Sequence, residues 1–283
     1  MELASTSQKY ERLALMQSFG FFLLFGSFNA SQSLAGSLPA PAGLPPFQFM
    51  VLYVAFTLAC IPAPKLVVWL GPKLSMVLGG IPYLGIVLSF LSPGLCTDEK
   101  TTGCWEASTI WALKLAMGAL VGFSAGVIWT GQGVYLAQLA AHAAAADSSS
   151  AVNSPDGAHP SGHNEDASKA EALGVMIKRF NGIFFQIFNF SAGVATFAAS
   201  LVLTLVNSSS AITYLFIGLS ACCSGGLLVF SCLPSLPSHG GAERGEGAHA
   251  DGASLLATLR LCLDPRMYLL CPIILYNGMS LGE

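Results

Sequence analysis

Apolar runs broken by short polar and proline-rich segments set the pattern of the chain. Six runs, near 13–37, 47–70, 74–92, 107–130, 175–204 and 211–233, are long enough to be membrane-spanning helices. Crossing about 30 Å of hydrocarbon takes roughly 17 to 25 helical residues. A seventh run, Met267 to Leu281, follows Arg266 and is shorter than a full span. It reads as a truncated seventh helix, with a re-entrant or interfacial segment as the alternative. The pattern predicts an all-α polytopic membrane protein.

Two segments lack this patterning. Residues 141–171 are rich in Ala, Ser, Gly, Asp and His, and 234–253 in Pro, Gly, Ser, His and Glu. Neither can bury enough surface to offset the entropy of ordering, so both are expected to be disordered. Leu255, Leu256, Leu259 and Leu263 recur at helical spacing and predict an interfacial helix over 254–263. Asp264 and Pro265 suit the N-cap and first position of the helix that follows. The expected organisation is a transmembrane bundle over 1–233 interrupted by the loop 141–171. A cytoplasmic linker over 234–265 and the start of helix seven over 266–283 come after it.

Composition narrows the class. The chain is 53% hydrophobic and 10% charged, where soluble domains carry about 25% charge. A formal charge of −3 gives no footprint for nucleic acid, so the lipid bilayer is the first partner. With the N-terminus inside, Lys9, Arg12, Lys65, Lys73, Lys169, Lys178, Arg179, Arg244, Arg260 and Arg266 all fall at cytoplasmic loops or helix ends. Lys100, beside Asp98 and Glu99, lies outside. This asymmetry places the N-terminus in the cytoplasm; it does not separate plasma membrane from endomembrane. Lys114 sits about two turns into the fourth span, close enough to its outer end to snorkel.

Candidate chemistry is sparse. His142, His159, His163, His239 and His249 show neither regular spacing nor cysteine partners, so no metal or cofactor is expected. No nucleophile–base set suggests an enzyme. Cys96 and Cys104 share the outer loop after the third span, where they either form a disulfide or remain thiols. Cys60, Cys222, Cys223, Cys232, Cys262 and Cys271 lie in or at the ends of helices and read as small packing residues. The middle of the six spans holds no Asp, Glu, His or Arg, which argues against a proton-coupled pump.

Neutral polar and small residues remain. Asn29 lies in the first span, Gln132 at the inner end of the fourth, and Gln186 and Asn189 share a face of the fifth. These four amides either line a central cavity or make interhelical hydrogen bonds worth roughly 0.6–2 kcal/mol each. Gly118, Gly122 and Gly126 form a four-residue ladder on the fourth span, matched by Ala55, Ala59 and Ala63 on the second. Such flat faces let helices approach closely in lipid, so the two are expected to pair. The ladder leads into Trp129, Thr130, Gln132, Gly133 and Tyr135.

The string from Gly122 to Tyr135, Gly-Phe-Ser-Ala-Gly-Val-Ile-Trp-Thr-Gly-Gln-Gly-Val-Tyr, resembles the signature of the uncoordinated-93-like family of the major facilitator superfamily. Gly71 to Leu78, Gly182 to Phe185, and Pro272 with Tyr276 and Gly278 are similar to other parts of that family. The resemblance implies a fold of two six-helix bundles. This chain would hold the N-terminal bundle and part of helix seven, with the second bundle missing. It also implies an accessory or regulatory subunit of a channel or receptor; the alternative is a facilitative transporter of a small solute or ion. Small-residue faces such as the glycine ladder would then serve association with the partner. The chain departs from general facilitators at Val68 and Pro64, which stand where an Asp and a Gly are usual after the second span. That loss removes the charge latch associated with alternating access.

Overall fold

The computed structural model describes residues 2–37, 43–91, 107–152, 162–206 and 210–236, and every regular element among them is helical. The helices are α1 (Glu2–Leu34), α2 (Leu44–Ala59), α3 (Ala63–Leu70), α4 (Pro72–Ser89), α5 (Ala107–Val152), α6 (Gly162–Leu205) and α7 (Ala211–Cys232). Among the described residues, α1, α4, α5, α6 and α7 contain stretches long and apolar enough to cross a membrane; α2 and α3 together make a sixth if the pair is one span. The chain is an all-α polytopic membrane protein. Cys96, Cys104, the segment 254–263 and the seventh helix over 266–283 lie outside the described residues, as does 237–265.

Four elements differ from the sequence expectation. The second span is not one helix over 47–70: it bends by 69° between Ala59 and Ala63. Pro62 and Pro64 cause the break, because neither supplies an N–H and the Pro62 ring crowds the preceding turn. The first helix starts well before residue 13, at Glu2, and ends at Leu34 in a 3-10 turn over Ala35–Ser37. The fourth and fifth spans, α5 and α6, also run into the segment read as disordered, to Val152 and from Gly162. Residues 139–146 are almost all alanine, which has the best helix propensity. Their inner turn also finds burial: Ala140 and Ala143 are fully buried, and His142 stacks on Tyr10 of α1 at 5.6 Å.

α1 is the centre of the bundle, packing on α5, α6 and α7, whereas α2 and α4 pack chiefly on α5. Its most apolar stretch is 61% buried, against 11% for that of α6, so α6 is the peripheral wall. Phe21, Leu24, Met76, Ile86, Ile128, Leu139, Phe184, Phe216 and Phe230 form the core between them. α5, at 46 residues, is about 69 Å long and outruns any bilayer.

Candidate functional site

The glycine ladder meets α2 along its length. A Cβ added at Gly122 would overlap the Leu52 carbonyl oxygen and come within 2.8 Å of Ala55 Cβ. At Gly118 it would lie 2.9 Å from the Gln48 carbonyl oxygen, and at Gly126 3.0 Å from Ala59 Cβ. The backbones are therefore in van der Waals contact, as small faces allow in lipid. Ala55 and Ala59 meet the ladder; Ala63 lies past the bend, packed with Val67 of α3 against Val127 of α5. Because α2 covers the ladder, it is closed to direct docking by another protein.

The motif that follows spreads its contacts over several elements. Trp129 is ringed by aromatic side chains, with centroids of Phe25 and Phe188 each at 5.1 Å, Phe21 at 5.6 Å and Phe184 at 6.2 Å. It therefore joins α1 to α6 through α5. Gly131 packs on the start of α4, where an added Cβ would sit 3.1 Å from both the Pro72 carbonyl oxygen and Ser75 Cβ. The Gln132 backbone carbonyl accepts a hydrogen bond of 3.2 Å from Gln17 Nε2 of α1, which also donates to Met76 Sδ of α4 at 3.4 Å. Tyr135 is fully buried and donates its hydroxyl to the Pro234 carbonyl, 3.0 Å away and just past α7. Thr130 turns inward on its own helix, donating to the Gly126 carbonyl at 2.7 Å. Gly133 is exposed, with nothing within 4 Å of an added Cβ.

Gln17 and the phenylalanines around Trp129 were not among the sequence candidates. Gln17 is an isolated amide in an apolar run and is fully buried, and that isolation was its only signal. The four amides expected to share a cavity are not gathered. Gln132 is buried and Asn29 half-buried, whereas Gln186 and Asn189 are exposed on α6. Asn189 instead opens a shallow groove of about 450 Å³ on the outer face of α6, together with Phe190, Gly193, Val194 and Phe197.

Two further expectations are corrected. Lys114 does not snorkel: it is 3% exposed, donates to Ser89 Oγ at 3.0 Å and lies 3.3 Å over the Phe90 ring. The hydroxyl and the ring face replace water for the ammonium, a substitution a desolvated cation accepts. Of the helical cysteines described, only Cys223 is a buried packing residue; Cys60, Cys222 and Cys232 are exposed.

Comparison with known proteins adds to this geometry. Residues 47–153, which run from within α2 to just past α5 and hold the whole motif, match the family model described as ion channel regulatory protein UNC-93. Over this segment the chain is similar to the UNC-93 family. Protein unc-93 homolog A of Danio rerio is 24% identical over 94% of the chain and 56% of its own length. UNC93-like protein 3 of Arabidopsis thaliana is 24% identical over 96% of the chain and 51% of its length. Protein unc-93 homolog A of Homo sapiens is 26% identical over 96% and 58% respectively. The chain thus spans about half the length of these curated relatives. The matched segment coincides with the α2–α5 interface, where the ladder and the motif fix the bundle.

Proposed function

We propose that the chain acts as an accessory or regulatory subunit of a membrane channel or receptor, with its N-terminus in the cytoplasm. The match to a family described as ion channel regulatory carries this reading. The outer face of α6 supports it. Gln186, Asn189, Phe190, Gly193 and Phe197 lie there at helical spacing and are exposed. Amides facing hydrocarbon are costly unless another helix supplies hydrogen bonds, and a glycine beside them permits close approach. The glycine ladder acts indirectly, by holding α2 and α5 so that α6 is presented correctly.

Co-purification from native membranes tests the reading. A channel or receptor whose current or surface delivery changes with expression of the full-length protein is expected to co-purify in fixed stoichiometry. The double variant Gln186→Leu/Asn189→Leu should lose it while the bundle stays folded. The alternative is a facilitative carrier. Solute flux in proteoliposomes that persists without any partner would favour the carrier and contradict the regulatory role.

A further inference from the structure

α6 and α7 each pack on α1 but little on each other, which leaves a cleft between them with α1 as its floor. Arg12, Leu15, Phe19 and Phe22 follow at steps of three and four, so they share one face of α1. Phe19 and Phe22 stack on that face at 6.2 Å. Arg12, Leu15 and Phe19 are exposed, Phe22 and Leu23 half-buried, and Gly26 and Ser27 buried. The cleft therefore opens at the Arg12 end and deepens along α1.

At the deep end is a cavity of about 320 Å³, walled by Phe22 and Gly26 of α1, Val194 and Ala198 of α6, and Leu215 and Gly218 of α7. Its size is that of a small-ligand site, about 300–1,000 Å³. The wall is almost wholly apolar, and Ser27 donates its hydroxyl to the Leu23 carbonyl of its own helix at 2.8 Å. Apolar surface left without partner atoms forfeits dispersion contacts, so an apolar chain gains by entering. The mouth has the opposite character. Arg12 is exposed there with Lys9 one turn before it, and neither has an ion pair or hydrogen bond among the described residues. Glu11, between them in sequence, is held by Arg179 at 3.0 Å and does not neutralise them.

We propose that the cleft holds one acyl chain of an anionic phospholipid. Arg12 and Lys9 bind the phosphate, to which a guanidinium offers paired donors, and the chain runs over Leu15 and Phe19 into the cavity. The lengths agree. The cavity begins at Phe22, about 15 Å along α1 from Arg12. That is half of a hydrocarbon core about 30 Å thick, the depth that one leaflet's chains reach. The chain fills the space between α6 and α7 and fixes the distance of α6 from the rest of the bundle. The site needs neither the partner role given to α6 nor a choice of which side the N-terminus faces.

Cross-linking by photoreactive lipid tests the proposal. The full chain is reconstituted in vesicles of phosphatidylserine and phosphatidylcholine in equal amounts, one of the two carrying a photoreactive group at its acyl end. Adducts are mapped by peptide mass spectrometry. The expected result is labelling around Val194, Ala198 and Gly218, at least about threefold stronger from phosphatidylserine than from phosphatidylcholine. Lys9→Gln/Arg12→Gln should erase the preference, and Arg12→Lys should keep it. Gly218→Phe should abolish labelling of the wall without loss of thermal stability, because an added Cβ there meets nothing within 4 Å. Lipid labelling of the exposed Phe47 and Met50 on α2 should persist in that variant. Equal labelling of the wall by the two lipids in the unsubstituted chain would overturn the proposal. So would a preference that survives the Gln pair, or wall labelling that survives Gly218→Phe. A wall free of lipid adducts would mean that protein, a second copy or a partner, covers the cleft, and would overturn it too.

Discussion

At the residue scale, two glycines of α5 behave oppositely although the sequence treats them alike. Gly122 faces a backbone carbonyl on α2, whereas Gly133 faces nothing. Gly122→Leu should lower stability by about 3 kcal/mol, because the overlapped atom is a main-chain oxygen and cannot move aside cheaply. Gly133→Ala should leave stability unchanged or raise it by up to about 1 kcal/mol, since helix propensity is then the only difference. Thermal unfolding of the detergent-solubilised chain distinguishes the two; equal loss in both would contradict the assigned contacts. The ladder was readable in the sequence because small residues at a spacing of four have few other uses in lipid. Lys114 was not. Nothing in the sequence around it signals that Ser89 and Phe90, on a different helix, supply its cradle.

At the element scale, the apolar pattern located the spans because hydrophobic length and bilayer thickness are directly matched. It failed where backbone chemistry overrides hydropathy. The run from 47 to 70 is predominantly apolar, yet Pro62 and Pro64 remove two donors and the helix breaks after Ala59. Pro62→Ala/Pro64→Ala should relax the bend, measurable as a longer spin-label distance between positions 50 and 68. An unchanged distance would mean that packing of Ala63 and Val67 on Val127, rather than the prolines, sets the angle. The segment beyond residue 140 failed in the opposite sense. Low complexity argued for disorder, but its alanines are strong helix formers and the turn at 140–144 gains burial against α1.

At the scale of the whole molecule, the bundle is built around α1 and stitched by one short stretch of α5. Trp129, Gly131, Gln132 and Tyr135 reach α1, α6, α4 and the turn after α7. An exposed ion pair adds a lesser tie on the N-terminal side, with Arg179 Nη2 of α6 3.0 Å from Glu11 Oε2 of α1. Exposed pairs of this kind contribute roughly 0–1 kcal/mol, so the motif, not the charge pair, holds the helices in place. The motif's resemblance to a family was legible from sequence, and its role as a hub was not, since each contact joins residues far apart in the chain. The same holds for the amides. Their presence could be read directly, but only the packing of α6 separates the buried Gln132 from the exposed Gln186 and Asn189.

The central claim, that α6 and not the glycine ladder meets a partner, is tested most directly by site-specific photo-cross-linking of the full-length protein in its native membrane. A photoreactive residue at Asn189 on α6 is compared with one at Phe123, an exposed position on α5 beside Gly122. An adduct to a channel or receptor polypeptide at 189 and lipid adducts alone at 123 is the expected result. Lipid adducts alone at 189, or a protein adduct confined to 123, would contradict the account.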